Sequence, residues 1–273
     1  MMHGGTPETQ ITPNPNTEDW RSSLEVGQYA QAEARYRALV LTGAADRDTL
    51  NALQALLEWQ RDLRAKRYAP ATRALEDLSP LAQTLDLEPM RSGTAALLET
   101  EGKRIVEESE LKAVLEPAMQ NRFTRAEAMN QMGVLQALQA EPDAARVSFQ
   151  AALESDAGHY RALTNLGNLL LEGGNPHAAE QHYRRALLLE PDYALAHNNL
   201  AAALKKQKRV HESVRSLKQS QKLEQKRMRD EAREELRGKA GGRALIDFFS
   251  SRNGQYVTVV IVVLLVYFLF LRH

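Results

Sequence analysis

A pattern that returns every 34 residues constrains this chain more than any other feature. It runs through "MNQMGVLQALQAEPDAARVSFQAAL" from Met129, "LTNLGNLLLEGGNPHAAEQHYRRAL" from Leu163 and "HNNLAAALKKQKRVHESVRSLKQSQ" from His197. Equivalent positions hold Met132, Leu166 and Leu200; Gly133, Gly167 and Ala201; Ala145, Ala179 and Ser213; Phe149, Tyr183 and Leu217; Ala152, Ala186 and Ser220. A fixed period of this length means a stack of like units, each burying its apolar face on its neighbours. The spacing of small, aromatic and small residues keeps three side chains on one face of a second helix. The small residue upstream lets the first helix approach it closely. Gly173-Gly174-Asn175-Pro176 reads as the turn between the two helices. Glycine ends one helix in a left-handed conformation; Asn caps the next, with Pro at its first position. Thr124 with Glu127 reads as a capping box that opens the first unit. Pro191 closes the middle one.

The pattern resembles the tetratricopeptide repeat, a helix–turn–helix of 34 residues. The match is tightest over Tyr160 to Tyr193. In the first unit, Ala126 to His159, Gln136 sits where a large apolar residue is usual. The third, from Ala194, is worn at His197, Lys208 and Ser213, as suits a capping end. The resemblance implies an all-α fold, an α-solenoid of tetratricopeptide-like helical hairpins, and a binding role rather than a catalytic one.

In that family the fifth and sixth positions of the first helix face a concave groove. Here they are Asn130-Gln131, Thr164-Asn165 and Asn198-Asn199, with Asn168 at the ninth position of the middle unit. Arg161 is the groove cation, and these eight residues form the candidate peptide-binding groove. The amides Gln131, Asn165 and Asn199 resemble the asparagine ladder in the repeats of O-GlcNAc transferase. An amide both donates and accepts, so such a ladder can pair with an extended backbone without demanding particular side chains. The alternative is that these amides serve packing within the repeats. A clamp for acidic C-termini, known in related repeat proteins, is not implied. Asn130, Val134, Leu195 and Asn199 replace its residues, and only Asn165 matches.

Residues 1–19 read as a disordered lead, with Pro13 and Pro15 among polar residues. Residues 20–123 read as degenerate helical hairpins. "GQYAQAEARY" from Gly27 and "KRYAPATRAL" from Lys66 align at an offset of 39, each resembling a second helix. The alternative is a chance match between two Ala-rich helices. Pro80, Pro89 and Pro117 mark helix limits. The repeats occupy 124–223, as units 126–159, 160–193 and 194–223. Val210 to Arg237 reads as one long helix, with Val210, Val214 and Leu217 packing on the last repeat. Residues 224–242 form a charged capping helix and a Gly hinge.

Tyr256 to Leu271, "YVTVVIVVLLVYFLFL", is a run of 16 residues without a charge. As a helix it spans roughly 24 Å, short against a hydrocarbon core of about 30 Å but extendable by snorkelling at Gln255 and Arg272. The alternative is a buried strand, since the run is Val-rich. It is read as a C-terminal transmembrane helix at 256–271. A juxtamembrane amphipathic segment, 243–255, precedes it. "ALIDFFSS" there can lie on the membrane surface or form a short apolar linker. The start of the chain does not read as a secretory signal. Basic residues crowd the N-terminal side of the run, at Arg237, Lys239, Arg243 and Arg252. The positive-inside rule then keeps the body cytoplasmic, in a single-pass, tail-anchored layout.

The 273 residues carry no net charge and no cysteine, which excludes disulfides and thiolate metal sites. Charge is uneven: Lys205 to Lys239 holds 13 Lys and Arg against 6 Asp and Glu, or +7 net. A basic helix of this kind is ordinarily solvated and attracts anionic lipid incidentally. Nucleic acid is not an expected partner, because interleaved aromatics are absent. No nucleophile elbow, phosphate loop, metalloprotease signature or dinucleotide fingerprint occurs. His177 and His182 are five apart and make a poor metal pair. No enzyme activity, cofactor or metal is expected. The reading is a membrane-anchored scaffold that recruits a partner's extended segment through the groove. The layout resembles tail-anchored repeat receptors. Two alternatives remain: an assembly or regulatory factor that binds a membrane complex through other faces, and an enzyme with an unrecognised site in the N-terminal half.

Overall fold

The computed structural model describes residues 15–238. The expected transmembrane helix and juxtamembrane segment lie outside the described residues. Every regular element is helical, and no strand occurs among the described residues. Nor is any described helix long and apolar enough to cross a membrane. The chain divides into two units between Pro191 and Asp192.

The first unit opens with α1 (Pro15–Glu25) and α2 (Tyr29–Leu41). Helix α1 thus begins inside the lead expected to be disordered. Proline suits a first helical position, and Trp20 anchors the helix by packing edge-on against Tyr36 at 4.8 Å. Next come α3 (Arg47–Arg64) and the short α4 (Tyr68–Ala74), which tightens into a 3-10 stretch at Leu75–Leu81. Then come α5 (Glu88–Glu99) and α6 (Glu108–Leu115), the latter followed by a 3-10 turn at Glu116–Met119. Pro89 begins a helix, whereas Pro80 and Pro117 lie inside the 3-10 segments. The repeats supply α7 (Arg122–Leu138), α8 (Pro142–Ser155), α9 (Tyr160–Glu172) and α10 (Pro176–Leu189). The second unit holds α11 (Ala194–Lys206) and α12 (Val210–Gly238).

Among the described residues the α2–α3 link, with Gly43 at φ 75° and the Ala44 N–H donating to the Leu39 carbonyl at 2.9 Å, shares its turn with five hairpins. In the hairpins the left-handed residue is Gly27, Lys66, Ala140, Gly174 or Lys208, with φ of 78°, 59°, 61°, 80° and 62°. The next residue donates its N–H to the carbonyl five residues back: Gln28 to Ser23, Arg67 to Asp62, Glu141 to Gln136, Asn175 to Leu170 and Arg209 to Leu204, at 2.7–3.0 Å. This closure satisfies carbonyls that a helix end leaves open. Gly27 and Lys66 are 39 residues apart, the offset of the sequence echo. The α1–α2 and α3–α4 pairs therefore turn as the repeats do. In the middle repeat Asn175 caps α10 by accepting from the Ala178 N–H at 3.1 Å.

The capping box at the head of α7 does not form. Asn121 is the cap there, accepting from the Phe123 N–H at 2.9 Å. Thr124 is buried, and its hydroxyl donates to the Ala118 and Asn121 carbonyls at 2.7 and 3.1 Å. A Cβ on Gly93 would lie 2.6 Å from Thr124 Oγ1, so glycine lets α5 reach α7. One apolar core runs from Trp20 on α1 to Leu135 on α7. The indole N–H of Trp59 donates to Thr94 Oγ1 at 3.0 Å within it. Arg64, the last residue of α3, makes two bonds of 2.6 Å to the buried Asp156 carboxylate that follows α8. The N-terminal helices are thereby fastened to the first repeat by apolar contact and by a bidentate ion pair.

In the repeats the close approach falls where the sequence places it. A Cβ on Gly133 would meet Phe149 Cε1 at 2.6 Å, and one on Gly167 would meet Tyr183 Cε1 at 2.5 Å. The third hairpin packs differently. Ala201 already carries a Cβ at this position, and Leu217, the counterpart of Phe149 and Tyr183, stays 39% exposed. Helix α12 turns a serine row inward, with Ser213 and Ser220 at the small positions that Ala145 and Ala152 hold in the first repeat. Ser213, Ser216 and Ser220 donate to the carbonyls of Ala201, His197 and Ala194 on α11, at 2.7–2.8 Å. Val210, Val214 and Leu217, expected to pack on this repeat, face outward.

Candidate peptide-binding surface

The eight candidate residues fall into three environments. Asn130 and Thr164 are fully buried and cannot line a groove. Thr164 folds its hydroxyl back to the Tyr160 carbonyl at 2.9 Å, as threonine does inside helices. Asn198 is exposed and Asn199 half-buried on α11, in the second unit. Gln131, Arg161, Asn165 and Asn168 are half-buried on α7 and α9.

Gln131 and Arg161 meet at a buried acid. Glu127 on α7 is fully enclosed. Nη1 of Arg161 bridges both its oxygens, at 2.9 and 3.0 Å. His159 Nε2 lies 2.9 Å from Oε2, and the Tyr68 hydroxyl donates to Oε1. His159 Nδ1 accepts the Ala162 N–H at 3.1 Å, so the ring hydrogen sits on Nε2 and points at Glu127. Gln131 Nε2 completes the group by donating to the Tyr68 oxygen at 2.8 Å. Burial pushes the Glu127 carboxyl up, but the Arg161 charge and the bonds from His159 and Tyr68 prevail and hold it at about 2. Tyr68 moves the other way: burial and the neighbouring Glu127 charge raise its hydroxyl far above its usual range. Arg161, expected as the groove cation, is therefore committed to an internal ion pair. Sequence reasoning missed Glu127, Tyr68 and His159. The only signal was a carboxylate at the position where the next repeat carries arginine.

The amides form a second group. Asn165 Nδ2 donates to Asn130 Oδ1 at 2.9 Å, across from α9 to α7. Nδ2 of Asn130 is buried without a partner among the described residues. Asn168 Oδ1 accepts the Tyr183 hydroxyl at 2.9 Å. Burial raises the Tyr183 hydroxyl, and the Glu172 charge adds to the shift. These contacts give Asn130 and Asn168 packing roles within the repeats.

Beside them a cleft of about 230 Å³ opens, lined by Val134, Leu138, Asn165, Asn168, Leu169 and Glu172 among others. Leu138 is 80% exposed and Val134 is 38% exposed. The cleft offers an apolar floor, polar amides on one wall and a carboxylate at the end of α9. That combination of apolar surface and few polar groups suits a short stretch of extended chain. Among the described residues no three metal-ligating side chains gather together.

A stack of short helical hairpins closed by a repeated turn defines a helical-repeat protein. The family profile of the tetratricopeptide repeat matches residues 160–193, and this segment is a tetratricopeptide repeat. None of the curated proteins matches the chain. Among solved structures, a crystal structure of MamA protein is 16% identical and covers 66% of this chain and 94% of its own, with a TM-score of 0.40. A second crystal structure of MamA is also 16% identical; it covers 80% of this chain and 99% of its own, with a TM-score of 0.36. The structure of MamA AMB-1 is 18% identical, covers 61% and 95%, and has a TM-score of 0.39.

Proposed function

We propose that this chain is a membrane-anchored scaffold whose repeats recruit an extended segment of a partner protein to the cytoplasmic membrane face. The observation that carries the reading is the cleft at Val134, Leu138 and Asn165. Val134, Leu138 and Leu169 give the cleft apolar surface that a bound chain would cover beside the half-buried amides. Asn165 gives its N–H to Asn130, and its own oxygen accepts no bond among the described residues. That oxygen can take a backbone N–H from an incoming segment. The ligand is uncharged or basic at this point, because Arg161 is held by Glu127 and Glu172 is the ionisable group of the cleft. Anchoring follows from the apolar run at 256–271, and orientation from the basic residues before it.

The test is a titration of partner captured from membranes against the full chain and its Asn165→Ala, Leu138→Ala variant. Loss of one hydrogen bond and one apolar contact should weaken binding by about tenfold to several hundredfold. Unchanged affinity in a folded variant would remove the groove from the account. Deleting Tyr256 to His273 should release the protein from carbonate-washed membranes, and retention would refute the anchor.

A second reading, an assembly or regulatory factor, draws on a different surface. An open cleft of about 460 Å³ on the N-terminal helices is lined by Asp48, Glu58, Glu76 and Asp77. Charge reversal there would impair an assembly factor and leave groove recognition intact.

A further inference from the structure

Helix α12 presents three faces. The serine face is buried on α11. A second face carries Val210, Val214 and Leu217, spaced i, i+4 and i+7 and each at least 39% exposed. A third carries Arg215, Lys218, Lys222 and Arg229, again at helical repeat spacing and all exposed. None of these four cations forms an ion pair among the described residues, whereas Arg209, Lys226, Arg227 and Arg233 do. The apolar and basic rows adjoin. A cleft of about 440 Å³ lies along them, lined by His211, Val214, Arg215, Lys218, Gln219 and Lys222.

We propose that this face of α12 lies on an anionic lipid surface, with Val214 and Leu217 dipping into the headgroup boundary and Arg215, Lys218 and Lys222 reaching the phosphates. The buried serines keep the small packing positions of the other repeats, so the row of Val210, Val214 and Leu217 is left exposed; a helix that meets lipid places such hydrocarbon at the acyl boundary and lets long basic side chains snorkel to the headgroups. Each cation held near an anionic surface adds to the attraction, and four unpaired ones on a single row point in the same direction. Charge complementarity therefore selects anionic lipid over a neutral bilayer. The proposal rests on the anchor reading only for bringing α12 near the membrane. It makes the second unit a membrane-lying element.

The chain lacks cysteine, so Val214→Cys can carry a single environment-sensitive probe. The full chain is reconstituted in phosphatidylcholine vesicles, with or without phosphatidylserine, and quenching by brominated acyl chains is read together with flotation. Quenching is expected with phosphatidylserine and not without it. The added substitutions Arg215→Glu, Lys218→Glu and Lys222→Glu should abolish it, while circular dichroism shows the helices intact. Flotation in both lipids with an unquenched probe would overturn the proposal and leave the anchor standing, as would an acidic protein covering this face instead of lipid. Flotation and quenching only with phosphatidylserine would support the proposal and refute the anchor. Equal quenching in both lipids, quenching that survives charge reversal, or no flotation at all would contradict it.

Discussion

Arg161 and Glu127 stand 34 residues apart, at the same position of successive repeats, and Arg161 Nη1 lies 2.9 Å from Glu127 Oε1. Equivalent positions in a stack need not play equivalent roles. Here one repeat supplies the charge and the next its counter-charge, so the pair fastens the contact between these two repeats of the first unit. Removing the cation would leave a buried carboxylate with neutral donors alone. Arg161→Leu should therefore cost about 3–5 kcal/mol in urea unfolding, and adding Glu127→Leu should restore much of it. A single variant as stable as the parent would mean the pair does not hold that contact.

Acid should weaken the same contact. The folded Glu127 carboxyl is held at about 2, below the 4.5 of a free glutamate. A depressed carboxyl contributes its stability above the free value and loses it as pH falls from about 4.5 towards 2. The stability difference between the parent and Glu127→Gln should thus be large at neutral pH and shrink across that window. Urea midpoints collected from pH 7 to pH 2 read it directly, and a difference independent of pH would contradict the assignment.

The glycine contacts predict overpacking. A Cβ at Gly167 falls 2.5 Å from Tyr183, and the ring is fully buried with little room to yield. Gly167→Val should lower stability by about 1–3 kcal/mol or more, with the loss seen first in hydrogen exchange of α9 and α10. A parental melting curve would mean the two helices approach elsewhere.

The exposure of Leu217 gives a contrast between equivalent residues. Phe149→Ala, deep in the first repeat, should cost about 3–5 kcal/mol. Leu217→Ala, at the matching position of the third hairpin, should cost about 0.5 kcal/mol, because that side chain faces outward. Equal costs would show that Leu217 is a core residue after all.

Much of this was legible in the residues. The period, the tight contacts at Gly133 and Gly167 and the turn at Gly174-Asn175-Pro176 all follow from side-chain size and backbone freedom. Other features left little trace. Lys66, Ala140 and Lys208 hold the same left-handed turn as Gly174, though a side chain there costs about 1 kcal/mol and glycine is the residue that signals it. Ser213 and Ser220 fall at the small packing positions by alignment with Ala145 and Ala152, but their bonds to carbonyls of α11 are displayed by no sequence pattern. Asn130 and Thr164 look like groove residues by position and are buried, since a family register fixes the helix face and leaves the local depth open. Arg161 looked free because its partner lies one whole repeat away.

The groove claim is tested most directly by where a partner touches the repeats in intact membranes. A photo-crosslinking residue placed at Leu138, in the cleft, is compared with one at Val147, which is 66% exposed on α8 and does not line the cleft. The account predicts a specific adduct from Leu138 that weakens when Asn165 is also replaced by Ala, and none from Val147. Adducts from Val147 alone, or from Leu138 regardless of Asn165, would contradict it.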